Sequence, residues 1–269
     1  MERLAVIGTL SQWRADAPMK TLVMLASAGL IGGAMNALAG GGSFVTLPAL
    51  IAAGLPSVAA NASSTAALFP GGVTSAWVYR GGLTTVDGLP FAPSLVVTLL
   101  GGLCGALLLV WTPTTLFDRV LPFLLLAATI TLMLGPRLGS RVRSRVAVGR
   151  TTVLGVQFVL GTYGGYFGGG VGLMMLAAWS LFTAADIKAL NPARMVMVTA
   201  ANMVAVVCFA LLGMVWWRQS VALGLGAMAG GYLGAHLGKR LPARLVRAVM
   251  LVIAITMTVL FFRRAFLTT

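Results

Sequence analysis

Residues 32–43 read GGAMNALAGGGS and lie inside the longest uncharged stretch of the chain, which runs from Thr21 to Tyr79. A glycine in a helix interior costs about 1 kcal/mol relative to alanine. Three in succession at Gly40, Gly41 and Gly42 therefore predict a break in a helix that the apolar residues around them would otherwise continue. The pattern recurs once, at residues 161–172, as GTYGGYFGGGVG, with Gly168, Gly169 and Gly170 as the second break.

The surroundings of both breaks are those of a membrane protein. Of the 269 residues, 59% are hydrophobic and only 9% are charged, and the mean hydropathy is +0.97. Such a chain cannot cover a water-facing surface with polar groups. Further uncharged runs cover Gly88 to Phe117, Val120 to Pro136, Thr151 to Ala185 and Met195 to Trp217, with shorter ones at Gln219 to Ala235 and Ala248 to Phe262. A bilayer span needs about 20 residues. The run from Thr21 has room for two passes around a turn at Gly54 to Ser57, whereas the run from Thr151 is too long for one span and too short for two. The expected fold is an all-α, multi-pass integral membrane protein with about eight hydrophobic segments, two of them glycine-broken or re-entrant and lining a central site.

Superposing Gly40–Gly42 on Gly168–Gly170 brings Asn61 in AANASSTAA close to Asn191 in ALNPARMVM, each about 20 residues further on. The order of break, apolar half-helix, polar turn, Asn and long helix occurs in both. Residues 20–135 and 151–269 are accordingly read as two homologous membrane repeats, 1–19 as a retained tail and 136–150 as an arginine-rich cytoplasmic loop. The net charge of +14 is dispersed in short connections, with its densest cluster at Arg137, Arg141, Arg143, Arg145 and Arg150, so it reports orientation and not nucleic acid. Making only the second broken segment re-entrant puts 15 of the 19 basic residues inside, with Lys20, Arg80 and Lys239 on one side. The repeat argues that both broken segments behave alike.

A broken helix inside a bilayer exposes N–H and C=O groups that cost several kcal/mol each unless protein, water or ligand meets them. Half-helices starting near Ser43 and Val171 would aim positive dipole ends at the interior, an environment that suits an anion. Asn36, Ser43, Thr46 and Tyr163 are candidate donors beside Gly40–Gly42 and Gly168–Gly170, joined by Tyr166, Asn61, Ser64 and Asn191. Close helix packing would also use small residues, and Asn61 and Asn191 also suit helix capping. Arg194, followed by 23 uncharged residues, is read as lying near the interface, where it snorkels, pairs with Asp186 or draws anions in. Arg80 beside Tyr79 reads as an interfacial anchor and His236 as a weak proton-handling candidate. The acidic residues Glu2, Asp16, Asp87, Asp118 and Asp186 all fall in tails or loops, which disfavours a carboxylate-based pump. With no Walker motif, HExxH or nucleophile motif, no enzyme, metal or cofactor is expected.

At these residues the sequence resembles the TauE/SafE family of membrane permeases, the sulfite exporter or toluenesulfonate uptake family. The resemblance rests on GGAMNALAGGGSFVTLPALIAAGLPSVAANASSTAA with VYRGG downstream, and on GTYGGYFGGGVGLMMLAAWSLFTAADIKALNPARMVMVTAANMVA with GMVWW downstream. It implies a secondary carrier of sulfur-containing anions in the cytoplasmic (inner) membrane of a bacterium, with a small anion and the lipid bilayer as partners and room for a homo-oligomer. NPAR departs from the small polar residues usual at that repeat position. Uptake of an organosulfonate or carboxylate, and a non-transporting scaffold subunit, are the competing functions.

Overall fold

The computed structural model describes residues 18–82, 90–143, 149–183, 185 and 187–267. The tail ahead of Pro18, the residues Asp87 and Asp186, and Arg145 of the central cluster lie outside the described residues. Those described form helices and no strand: α1 (Met19–Ala39), α2 (Ser43–Ala52), α3 (Ser57–Tyr79), α4 (Phe91–Trp111), α5 (Thr114–Arg143), α6 (Arg150–Tyr166), α7 (Val171–Phe182), α8 (Ile187–Leu211), α9 (Trp217–Arg240) and α10 (Ala243–Phe266). Six of these are long and apolar enough to cross a membrane: α1, α4, α9 and stretches of α5, α8 and α10. The polar cluster from Asn61 to Thr65 dilutes α3. At 10 and 12 residues, α2 and α7 reach about 15 to 18 Å, roughly half a bilayer.

The helices break where the glycines stand. Gly40 ends α1 in the left-handed region, φ 78°, and its N–H returns to Asn36 O at 2.8 Å. Gly168 and Gly170 take φ of 74° and 77° between α6 and α7. The expected turn after α2 is built on Gly54, φ 93°, before Pro56 opens α3. One boundary moves: α5 continues helically to Arg143, so Arg137, Arg141 and Arg143 ride on its last turns and not on a free loop.

Small residues set the packing. A methyl group built on Gly29 would overlap Leu223 O, one on Gly226 would overlap Ala26 O and one on Gly230 would overlap Leu30 O, so α1 and α9 touch backbone to backbone. The register advances in the same sense on both helices, which makes them parallel. α3 also runs parallel to α9, since Ser63 Oγ accepts from Trp216 N at 2.9 Å, Ser75 Oγ donates to Gly231 O at 3.1 Å and Lys239 Nζ donates to Val78 O at 2.9 Å. α4 and α6 form a second parallel pair through Gly101, Gly105 and Gly165. α8 runs against α3, with Gly72 facing Thr199 and Gly82 facing Pro192. α5 and α10 are antiparallel, Thr129 meeting Thr258 at 3.0 Å and Arg247 Nη2 donating to Leu132 O at 3.0 Å. The outward faces carry Val96, Leu100, Trp111, Val159, Leu225 and Val252, all exposed, as lipid contact requires.

These directions correct the orientation expected from charge. With α1 and α3 both parallel to α9, Lys20 and Arg218 lie at one end of the bundle and Arg80 and Lys239 at the other, so Lys20 and Lys239 do not share a side. The reason is α2, which folds back along α1: Gly42 packs on Gly32 O and Asn36 Cβ, and Gly32 on the Thr46 methyl. The first broken segment thus doubles back on the helix that precedes it.

Candidate functional site

At the first break, Phe44 N and Val45 N bond to Gly41 O and Gly42 O at 3.2 and 3.0 Å. The N–H groups of Gly41 and Gly42 meet no acceptor among the described residues. Asn36, Ser43 and Thr46 are buried around them, and Thr46 Oγ1 shares a proton with Ser64 Oγ at 2.6 Å. At the second break, Phe167 N and Gly168 N both reach Tyr163 O, while the Tyr163 hydroxyl lies 2.9 Å from Gly169 O and 3.0 Å from Leu124 O. That hydroxyl proton is spent on holding the backbone of the break. Asn61 Nδ2 donates to Tyr166 O at 2.9 Å, and the Tyr166 hydroxyl reaches Thr112 Oγ1 at 3.3 Å. The N–H groups of Gly169 and Gly170, like those of Gly41 and Gly42, find no acceptor among the described residues.

The two breaks meet, although more than a hundred residues separate them. A methyl on Gly40 would stand 2.7 Å from Gly172 Cα, and one on Gly172 would stand 3.0 Å from Gly40 Cα. The Phe44 ring bridges the neighbouring glycines, 3.1 Å from a methyl on Gly41 and 3.4 Å from one on Gly170. Arg194 Nη1 lies 3.1 Å from the Gly40 methyl position and 3.0 Å from that of Gly172.

Arg194 is 0% exposed, which rules out the snorkelling expected of it. A guanidinium that snorkels needs a path to water, and here the side chain turns inward to the open carbonyl end of α1. Its Nη2 donates to Ala37 O at 2.9 Å and lies 3.1 Å from Met195 Sδ. Its Nε and Nη1 have no hydrogen-bond partner. Among the described residues no carboxylate pairs with it; a pair with Asp186 lies outside the described residues. Asn191 Oδ1 and the Tyr79 hydroxyl are also buried without hydrogen-bond partners, with Tyr79 facing both Asn191 and Arg194. A cavity of about 310 Å³ is lined by Leu38, Ala39 and Asn191 together with Arg244 and Arg247.

Of the residues singled out in the sequence, Gly40, Gly41, Gly170, Asn191 and Arg194 gather at the junction. Asn36, Gly42, Ser43 and Ser64 line the α1–α2–α3 side, and Asn61, Tyr166 and Gly168 the α3–α6 side. Tyr163 and Gly169 bond each other. His236 is exposed, its Nδ1 2.9 Å from Tyr232 O, and Arg80 stacks over the Trp77 ring at 3.7 Å as an anchor would. Sequence reasoning missed Gly172, Phe44, Tyr79 and Asn202. Asn202 carried a signal, since it stands inside the uncharged run of α8 where an amide needs a partner.

A family model described as "Sulfite exporter TauE/SafE" matches residues 25–261. A "Probable membrane transporter protein" of Haemophilus influenzae is 29% identical over 244 residues, 90% of this chain and 95% of that protein. One from Sinorhizobium, designated ORF9, is 27% identical over 91% of this chain and 93% of its own length. YfcA of Escherichia coli, also named a probable membrane transporter protein, is 29% identical over 85% of each. No solved structure matches the chain significantly.

Proposed function

Since the chain belongs to the TauE/SafE family, matched over residues 25–261, we propose that this membrane transporter is a secondary carrier that exports small sulfur-containing oxyanions, sulfite or organosulfonates, across the inner membrane of a bacterium. The observation that carries the anion reading is Arg194: a fully buried guanidinium with two unpartnered nitrogens, set against the contact of the two breaks. A charge buried without a counterion costs several kcal/mol, and an arriving anion relieves that cost. Two half-helix N-termini, each worth roughly half a positive charge, add to the attraction. The name of the family supports sulfite and its relatives as cargo. With the cell interior negative, each negative charge leaving gains about 2.3 kcal/mol per 100 mV, so outward movement runs without a coupling ion.

The chain is further read as two repeats, α1 to α5 and α6 to α10. Successive helices alternate in direction, so five per half turn the second half upside down relative to the first, the arrangement of inverted-repeat carriers. The pairing supports this reading, because α1 lies parallel to α9 as α6 does to α4. Placing the basic end of α5 in the cytoplasm puts Lys239 inside and Lys20 outside. Reporters fused after Lys239 and at Leu212 are expected to signal cytoplasmic and periplasmic locations respectively; a shared location would overturn the alternation.

The functional test is counterflow in proteoliposomes. Labelled sulfite is expected to exchange against internal sulfite and sulfonates at rates at least about tenfold above empty vesicles, and to accelerate outward when the side corresponding to the cytoplasm is made negative. Exchange confined to carboxylates would overturn the sulfur assignment. Insensitivity to every anion would leave the scaffold function standing.

A further inference from the structure

The unpartnered side-chain atoms near the two breaks differ in kind. Beside Gly40 they include guanidinium donors. Beside Gly168 they are oxygens: Asn61 Oδ1 and Asn202 Oδ1 are buried without a partner, on side chains only 1% and 6% exposed. The orientation of the Asn61 amide is fixed, because its Nδ2 donates to Tyr166 O, so the atom left over is an acceptor.

Three oxygens, Asn202 Oδ1 among them, converge beside Gly168. A point one methyl bond from Gly168 Cα lies 3.4 Å from Gly164 O, 3.7 Å from Thr65 Oγ1 and 3.9 Å from Asn202 Oδ1. Thr65 is buried and its hydroxyl proton goes to Asn61 O at 3.0 Å, which leaves the lone pairs of Oγ1 free. Gly164 O is one of the open carbonyls of the α6 C-terminus: Phe167 N and Gly168 N pass it over for Tyr163 O. The negative end of the α6 dipole points at the same place. Glycine with φ 74° at residue 168 leaves the volume empty of side chain.

We infer that the oxygens of Gly164, Thr65 and Asn202 around Gly168 form a binding site for a dehydrated alkali cation, for which sodium is the probe. Hard monovalent cations are held by carbonyl, amide and hydroxyl oxygens, and half-helix C-termini with unwound carbonyls are where carriers of this architecture hold them. Among the described residues no group of three His, Cys, Asp or Glu could hold a metal ion, so the donors on offer are neutral and suit a single positive charge. The inference is independent of the anion reading, because it rests on acceptors at Gly168 and not on Arg194.

The test uses the purified full chain in nanodiscs with radioactive sodium at constant ionic strength. Binding is expected to saturate, to be displaced by unlabelled sodium chloride and to resist choline chloride. Asn202→Ala and Thr65→Val should each weaken it by about tenfold or more, while Ser75→Ala, a buried hydroxyl elsewhere on α3, should not. Thermal unfolding provides a second measurement that needs no variant: sodium chloride should raise the parent's midpoint where choline chloride does not. Absence of saturable sodium binding by the folded parent, equal protection by choline, or unchanged binding in both site variants would overturn the site and leave a water-filled polar pocket. None of these outcomes bears on sulfite exchange, so the two readings fail separately.

Discussion

Gly40→Ala is expected to reduce anion exchange at least tenfold, while Gly54→Ala leaves it near the parental rate. Both glycines have positive φ, 78° and 93°, so both substitutions incur the left-handed strain of about 1 to 2 kcal/mol. They differ in what the new methyl meets. At Gly54 there is nothing within 4 Å, whereas at Gly40 the methyl stands 2.7 Å from Gly172 Cα and 3.0 Å from Gly172 N. Backbone cannot swing aside as a side chain can, so α1 and α7 must separate and Arg194 must move with them. The pair thus divides local strain from loss of the junction. Exchange rates in proteoliposomes, normalised to inserted protein, provide the measurement. Equal rates for the two variants would show that contact between the breaks is irrelevant to transport.

The breaks themselves were legible because a triple glycine within an apolar run has few other structural uses. The turn at Gly54 was legible for the same kind of reason, with Pro56 two residues on. That Gly40 would touch Gly172 was not, since nothing local to either segment encodes a contact over such a separation. Orientation failed for a physical reason too. Charge bias counts charges between apolar segments and cannot tell a short helix that folds back on its predecessor, as α2 does on α1, from one that continues away from it. Asn202 went unnoticed because one amide in a long helix resembles a packing residue until its Oδ1 is seen without a partner.

Arg194 was expected to snorkel because a cation close to a polar connection is ordinarily drawn to water. Here the broken α1 leaves the carbonyl of Ala37 open, and the guanidinium satisfies it from within. Two roles then compete: a cap for α1, or the counter-charge for a translocated anion. A hydrogen bond to a charged donor is worth about 1.5 to 3 kcal/mol, and burying a charge without a counterion costs a comparable several kcal/mol. These nearly cancel. Arg194→Leu is therefore expected to insert and to unfold within a few degrees of the parent, while equilibrium binding of sulfite and its exchange fall by about a hundredfold, the loss of one strong charged contact. Arg194→Lys keeps the charge without the planar fork and should recover part of the binding. The comparison with Ser43→Ala and Asn36→Ala, measured by binding to the purified protein, then separates charge from dipole: each of those should weaken sulfite by less than about tenfold. If Arg194→Leu exchanged sulfite at the parental rate, the anion would be held by helix ends alone. If it failed to fold while Arg194→Lys folded, the guanidinium would be the cap of α1, and a buried charge without a carboxylate partner would have a structural explanation in place of a functional one.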